Sequence, residues 1–141
     1  MLVVDSSVWI DFFTGRPNPQ RVVLRRLLDE GEVPIVVPDL VLFEVLRGFR
    51  DEASLRQARR LMESLTLEAI GGVVLAREAA QHYRSLRQLG ITVRSSVDVL
   101  VAAFCIDRDH ILLHNDRDYD AFAAHRGLRV WQHGNPEPSR P

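Results

Sequence analysis

The stretch Leu2-Val-Val-Asp5-Ser6-Ser7-Val-Trp-Ile-Asp11 decides the fold, because it leads from a short apolar strand through a carboxylate into a helix. The apolar residues before Asp5 predict a buried strand, and Ser6 or Ser7 is a natural helix cap. Apolar runs of strand length then alternate with longer helical patterns along the chain. This alternation predicts an α/β fold, in which helices cover both faces of a mostly parallel sheet.

The remaining elements are predicted from apolar runs and from the residues that end them. Further strands are predicted at 34–37, Leu67–Ile70, Ile111–His114 and Leu128–Trp131. Helices are predicted at Ser6–Phe13, around Val22–Leu28 up to Gly31, from a cap at Asp39 to Gly48, at Asp51–Leu65, Val74–Leu89, Ser95 to about Asp107, and Arg117–Ala124. Residues 1–133 are expected to form one domain, and the polar, proline-rich residues 134–141 a tail outside its core.

The composition is that of a globular chain without a strong charge signature. The chain has 141 residues, of which 46% are hydrophobic, and its formal net charge of −1 gives no global basic signature for nucleic acid. All 18 basic residues are arginine, which excludes mechanisms that need a lysine. The single Cys105 lies in an apolar run and predicts a buried thiol. Because the sequence shows neither the pattern of a signal peptide nor an apolar run of membrane-spanning length, a cytoplasmic location is expected.

Four acidic residues interrupt or end segments that otherwise predict burial: Asp5, Glu44, Asp98 and Asp116. A carboxylate near a core is costly unless a cation or hydrogen-bond donors satisfy it. Asp5 and Asp116 follow predicted strands, and the carboxyl ends of parallel strands meet at one edge of a sheet. Hard oxygen ligands without a cysteine or histidine cluster favour Mg²⁺ or Mn²⁺ over zinc. The pattern therefore predicts a shared site for a divalent metal ion.

Each of these acids also fits a local role. Asp5 and Asp116 are suitable caps for the helices that follow them, and Asp98 suits the acid position of a capping box. For Glu44 the local alternative is a salt bridge to Arg47. The four local roles do not explain why all four acids occur together.

The fourth ligand position is shared between two residues. Asp116 is nearest the predicted strand end and is the first choice, while Asp118 is its substitute or an outer partner. His110 and His114 flank the same strand, which would hold them about 13 Å apart. We interpret both histidines as structural or peripheral.

Four motifs, in this order, resemble those of PIN domains. They are Met1–Asp11, Pro38-Asp-Leu-Val-Leu-Phe-Glu44-Val-Leu, Thr92-Val-Arg-Ser-Ser-Val-Asp98-Val-Leu-Val-Ala-Ala and His114-Asn-Asp116-Arg-Asp118-Tyr119. They cover residues 1 to about 131, and a single domain of this length resembles the VapC toxins of bacterial toxin–antitoxin pairs. The resemblance implies a three-layer α/β/α sandwich and a Mg²⁺-dependent endoribonuclease, with Mn²⁺ as an alternative ion.

The resemblance also implies roles for individual residues. Asp5, Glu44, Asp98 and Asp116 would hold one or two metal ions, with Asp118 as the substitute for Asp116. The bound metal would activate a water molecule for attack on an RNA phosphodiester. Ser6 or Ser7 would orient a water or the first carboxylate, with helix capping as the alternative role. Arg94 and Arg117 are the best placed arginines for RNA, although each also fits a surface or ion-pairing role.

Partners follow from the same resemblance, which implies a homodimer and a VapB-type antitoxin whose tail covers the acidic groove. The alternative function is a non-catalytic PIN-like module that binds RNA or protein, and the intact acids argue against it. A haloacid-dehalogenase-like phosphatase needs Asp-x-Asp where this chain has Asp5-Ser6-Ser7. A phosphoacceptor receiver needs a lysine, which this chain lacks.

Overall fold

The central sheet has five strands, all of them parallel. The computed structural model describes residues 1–132, so the predicted tail 134–141 lies outside the described residues. The strands are β1 (Leu2–Val4), β2 (Ile35–Pro38), β3 (Thr66–Glu68), β4 (Ile111–Leu113) and β5 (Arg129–Val130). They pair in the order β3-β2-β1-β4-β5. The predicted parallel sheet is confirmed.

Seven α-helices connect these strands within residues 1–132. They are α1 (Ser6–Thr14), α2 (Pro19–Glu30), α3 (Asp39–Leu46), α4 (Glu52–Glu63), α5 (Val73–Gln88), α6 (Ser96–Arg108) and α7 (Asp120–His125). A 3₁₀ turn at Arg117–Tyr119 precedes α7, so the predicted helix Arg117–Ala124 consists of two shorter elements. In the part of the chain that the structure describes, no helix has the length and hydropathy needed to cross a membrane.

The middle of the sheet is buried on both faces. In β1, Val3 and Val4 are both 0% exposed, although neighbouring side chains of a strand point to opposite faces. Leu112 in the adjacent β4 is also 0% exposed. Helices therefore cover both faces, which confirms the predicted three-layer α/β/α sandwich. Cys105 is buried in this core, as predicted.

At α1 the structure chooses among the predicted caps, and at α3 the predicted cap is wrong by one residue. Asp5, and neither serine, is the N-cap of α1, and its carboxylate accepts a hydrogen bond from the Ser7 amide at 3.2 Å. Pro38 holds the N-cap position of α3, so Asp39 is its first helical residue. Asp39 Oδ1 instead accepts from the Ile70 amide at 3.1 Å. At α1 the three adjacent residues Asp5, Ser6 and Ser7 are all good caps, and propensity alone does not choose between them.

Candidate metal centre

The sheet brings Asp5 and the turn after β4 to the same edge. β1 and β4 are parallel neighbours, with Val4 opposite Leu113. The Asp5 amide donates to the Leu113 carbonyl at 2.9 Å, so the pairing extends to the first acid of the predicted site. The segment that contains Asp116 begins directly after Leu113. The two segments therefore meet at the carboxyl end of the sheet, where open α/β folds bind ligands.

Three carboxylates are grouped at this edge: Asp98, Asp116 and Asp118. Each offers one oxygen, and these oxygens lie within 4.8 Å of one another. Asp98 is buried, and the other two are half-buried. Among residues 1–132, no arginine or histidine forms an ion pair with any of the three. A set of oxygen donors with excess negative charge and no protein cation fits a hard divalent ion.

A tight turn holds Asp116 and Asp118 in the group. Asp116 is the N-cap of the 3₁₀ turn, and its Oδ1 accepts from the Asp118 amide at 2.9 Å. The Asp116 amide donates in turn to His114 Nδ1 at 3.1 Å. Both acids of the shared fourth position are therefore in the group, and His114 supports the turn that carries them.

Asp98 lies in the first turn of α6. Its amide donates to Ser95 Oγ at 3.3 Å, so the serine half of the predicted capping box is present. Burial, followed by the charges of Asp5 and Asp116, raises the pKa of the Asp98 carboxyl to about 7. A carboxylate in this position is stabilised by a nearby cation, which would favour its charged form.

Asp5 is 3% exposed and has donors on both of its carboxylate oxygens. Ser7 Oγ donates to Oδ2 at 2.6 Å, beside the bond from the Ser7 amide. The Tyr119 hydroxyl donates to Oδ1 at 2.7 Å. Capping and membership of the acidic edge are therefore not alternatives for Asp5, because one carboxylate does both.

Tyr119 is the residue of this edge to which sequence reasoning gave no role. It is 0% exposed, and its hydroxyl also donates to Asp98 Oδ1 at 3.1 Å. Burial, together with the charges of Asp5 and Asp98, raises the pKa of Tyr119 well above its usual value, so the hydroxyl stays protonated and acts as a donor. The available signal was a tyrosine directly after the two acids of the fourth motif.

Glu44 lies beside this edge through its contact with Ser6. Ser6 Oγ donates to Glu44 Oε1 at 3.0 Å, and Arg47 Nη2 lies 4.0 Å from Oε2. The predicted salt bridge is therefore present together with a link to the residue next to Asp5. Neither Glu44 nor Asp5 belongs to the group of oxygens within 4.8 Å.

The two arginines predicted to contact RNA are exposed but lie in different places. Arg117 lines a hollow of about 260 Å³ together with Asp116 and Trp131. Arg94 lines a separate cavity of about 420 Å³ between α5 and α6, together with Ser96. Ser96 and Asp98 are two residues apart on α6, which puts them on nearly opposite sides of the helix. Arg117 is therefore the arginine beside the acidic group.

The chain belongs to the PIN domain family, whose sequence model matches residues 2–125. It is similar to VapC ribonuclease Mb1587 of Mycobacterium bovis and to Ribonuclease VapC11 of Mycobacterium tuberculosis. Each shares 32% identity with it over 130 residues, which make up 92% of this chain and 97% of the relative.

Solved structures show the same fold at low sequence identity. VapBC2 from Rickettsia felis, bound to a DNA fragment from its promoter, has a TM-score of 0.69 at 17% identity, covering 92% of this chain and 96% of that one. FitAcB from Neisseria gonorrhoeae has a TM-score of 0.66 at 15% identity, covering 94% and 97%. VapC20 of Mycobacterium tuberculosis, a sarcin-ricin loop cleaving toxin, has a TM-score of 0.61 at 17% identity, covering 89% and 95%.

Proposed function

We propose that this chain is a metal-dependent endoribonuclease that acts as a toxin, and that a VapB-type antitoxin inhibits it. The observation that carries the proposal is the group of Asp98, Asp116 and Asp118 oxygens within 4.8 Å of one another. The family supports it, because the two relatives at 32% identity are ribonucleases by name and align over nearly the whole chain.

The proposed ion is Mg²⁺, with Mn²⁺ as its substitute, because the donors are carboxylate oxygens. Asp98, Asp116 and Asp118 would hold it, with Asp5 beside Asp98 and Glu44 at the margin of the same edge. When bound, such an ion supplies the positive charge that makes water a better nucleophile and stabilises the leaving oxygen of an RNA phosphodiester.

The residues of the chain prepare this site through protons and hydrogen bonds. Because the pKa of the Asp98 carboxyl is raised to about 7, part of it is protonated near neutral pH, and ion binding would displace that proton. Ser7 and Ser6 orient the carboxylates of Asp5 and Glu44 through hydroxyl donors. Arg117, exposed beside Asp116, offers a guanidinium group to the RNA phosphate.

The activity is tested by incubating total RNA with the purified chain in Mg²⁺, in EDTA and after substitution of Asp98→Asn. We expect cleavage by the parent in Mg²⁺, none in EDTA, and a loss of at least about 100-fold in the Asp98 variant. The matched control is Asp29→Asn, an exposed acid on α2, which should cleave like the parent. Cleavage by the Asp98 variant at the parental rate, or cleavage that persists in EDTA, contradicts the proposal. Binding of RNA without any cleavage would support the non-catalytic module instead.

The toxin role is tested by inducing the chain alone in a bacterial host. We expect growth arrest with the parent and normal growth with Asp98→Asn. Coexpression of the VapB-type protein encoded in the same genome should restore growth, because the tail of such a partner would cover the acidic edge.

The proposed homodimer is tested by light scattering of the purified chain. A dimer-sized mass supports it, and a monomer contradicts it.

A further inference from the structure

The Tyr119 hydroxyl connects two carboxylates that come from distant parts of the chain. It lies 2.7 Å from Asp5 Oδ1 and 3.1 Å from Asp98 Oδ1. Asp5 follows β1, whereas Asp98 belongs to the first turn of α6. A phenol has a single proton to donate, so both carboxylates share one donor.

The position of this hydroxyl is set by the turn that carries the other two acids. The Tyr119 amide donates to the Asp116 carbonyl at 3.2 Å, within the turn that Asp116 caps. The Tyr119 ring packs against the His114 ring, with the centroids 4.9 Å apart. A side chain that is 0% exposed has little freedom to leave this position. One short segment therefore supplies two carboxylates of the group and the donor that reaches Asp5 and Asp98.

Among the described residues, the Asp98 carboxyl has two side-chain hydrogen-bond partners, the Tyr119 hydroxyl and the Asp116 carboxyl. Within residues 1–132, no other hydroxyl, amide or guanidinium group donates to the Asp98 carboxylate. Asp5 differs, because Ser7 holds its second oxygen. Tyr119 is therefore the contact that relates the Asp98 carboxylate to Asp5.

We propose that Tyr119 is a positioning residue for the metal centre, whose hydroxyl holds the carboxylates of Asp5 and Asp98 in the arrangement that a divalent cation requires. This inference rests on the proposed function. A carboxylate oxygen has lone pairs for two partners, so an oxygen that accepts from Tyr119 can still bind an ion. Hydrogen-bond partners that orient ligating carboxylates commonly change metal affinity by ~10–100-fold when they are removed.

A purely structural role for Tyr119 makes a different prediction. Phenylalanine would fill the same space in the core, and its ring would keep the contact with His114. If Tyr119 only packs, loss of the hydroxyl changes the stability of the metal-free protein and leaves its affinity for the ion unchanged. If Tyr119 positions the two carboxylates, the affinity falls.

The test is a calorimetric titration of Tyr119→Phe with MnCl₂ and with MgCl₂ alone, without RNA. We expect the dissociation constant of the ion to rise by ~10–100-fold over the parent. In RNA cleavage at a fixed Mg²⁺ concentration, we expect kcat to fall while the KM for RNA stays within about twofold, since the hydroxyl is buried away from the substrate. The matched control is Tyr83→Phe, the other tyrosine of the chain, which is half-buried at the cavity between α5 and α6. Its ion affinity should equal that of the parent.

The outcomes separate this inference from the proposed function. An unchanged ion affinity in Tyr119→Phe overturns the inference, even if its melting temperature falls. If the parent itself binds no ion, the result contradicts the proposed metal-dependent function, on which this inference rests. Should the variant be unfolded at room temperature, the titration is repeated in the cold with trimethylamine N-oxide, which favours the compact state. A variant that remains unfolded there shows that the hydroxyl is needed for folding, which also overturns the inference.

Discussion

Ser6 Oγ donates a hydrogen bond to Glu44 Oε1 at 3.0 Å, and this contact joins the first turn of α1 to α3. The next residue, Ser7, donates through its own hydroxyl to Asp5. Two adjacent serines thus donate to two acids, Asp5 at the β1–α1 junction and Glu44 on α3. Capping of α1 is left to Asp5, so both hydroxyls are available to orient carboxylates.

The first prediction concerns Ser6. Substitution Ser6→Ala removes the donor that holds Glu44, whose carboxylate then retains, within residues 1–132, the long contact with Arg47 at 4.0 Å. We expect the cleavage rate to fall by ~10-fold and the Mg²⁺ concentration for half-maximal activity to rise. The control is Ser85→Ala, a half-buried serine on α5. Equal Mg²⁺ dependence of the Ser6 variant and the parent would show that the contact has no part in the site.

A second prediction is that Asp98→Asn stabilises the metal-free protein. The pKa of Asp98 is raised to about 7, so the folded state favours the neutral carboxyl, and this stabilisation is lost as the pH rises through about 7. At about pH 8 the parent carries a charge at this buried position, whereas asparagine stays neutral and can still accept from Tyr119. We expect urea unfolding in EDTA to give a free energy of unfolding higher by about 2 kcal/mol in the variant. A variant less stable than the parent under these conditions would contradict the electrostatic account of the group.

The third prediction concerns pH and His82, away from the acidic edge. Arg126 Nε donates to His82 Nδ1 at 2.8 Å, and burial, followed by the charge of Arg126, lowers the pKa of His82. The unfolded chain therefore binds this proton more readily than the folded one. The stabilisation is present above about pH 6.5 and is lost as the pH falls through the lower folded pKa.

Substitution His82→Gln keeps an acceptor for Arg126 and removes the titration. We expect its free energy of unfolding, measured by urea titration at several pH values, to decline less than that of the parent on acidification. His125→Gln, at an exposed position of α7, should retain the parental slope. Parallel curves for the parent and the His82 variant would rule out this histidine as a source of acid lability.

A fourth prediction distinguishes the two arginines. Arg117 lines the hollow beside Asp116, whereas the cavity of Arg94 lies on the side of α6 away from Asp98. We expect Arg117→Ala to raise the KM for RNA. The slope of log KM against log salt concentration should fall by about one, the change expected when one phosphate contact is lost. Arg94→Ala should have a smaller effect on both quantities. Arg77→Ala, an exposed arginine on α5, is the control. If Arg94→Ala has the larger effect, the RNA follows a path different from the one proposed.

The sequence predicted those parts of the fold and site that depend on strand ends. Asp5 and Asp116 each follow an apolar run, and parallel pairing of β1 with β4 is enough to bring these ends together. Asp98 was recognisable because it is the one acid near the start of a long apolar helix. Each of these acids can be recognised from the residues next to it in the sequence, and the sheet topology then brings the acids together.

Side-chain contacts between distant elements were not predictable in this way. Tyr119 and Asp5 are separated by 114 positions, and Ser6 and Glu44 by 38. Whether these groups meet depends on how each helix is rotated against the sheet, which hydrophobic periodicity fixes only roughly. The choice of Asp5 over Ser6 as a cap has a similar origin, because adjacent residues with equal propensity are separated only by tertiary contacts.

The most direct test of the proposed metal centre is an anomalous diffraction map from a crystal of this chain soaked in Mn²⁺. We predict one strong peak between the carboxylates of Asp98, Asp116 and Asp118, at roughly 2.0–2.3 Å from oxygens of at least two of them. The same map would show whether Asp5 and Glu44 reach the ion. A map from a saturated crystal without a peak at this edge, or with its strongest peak elsewhere, would contradict the proposed metal centre.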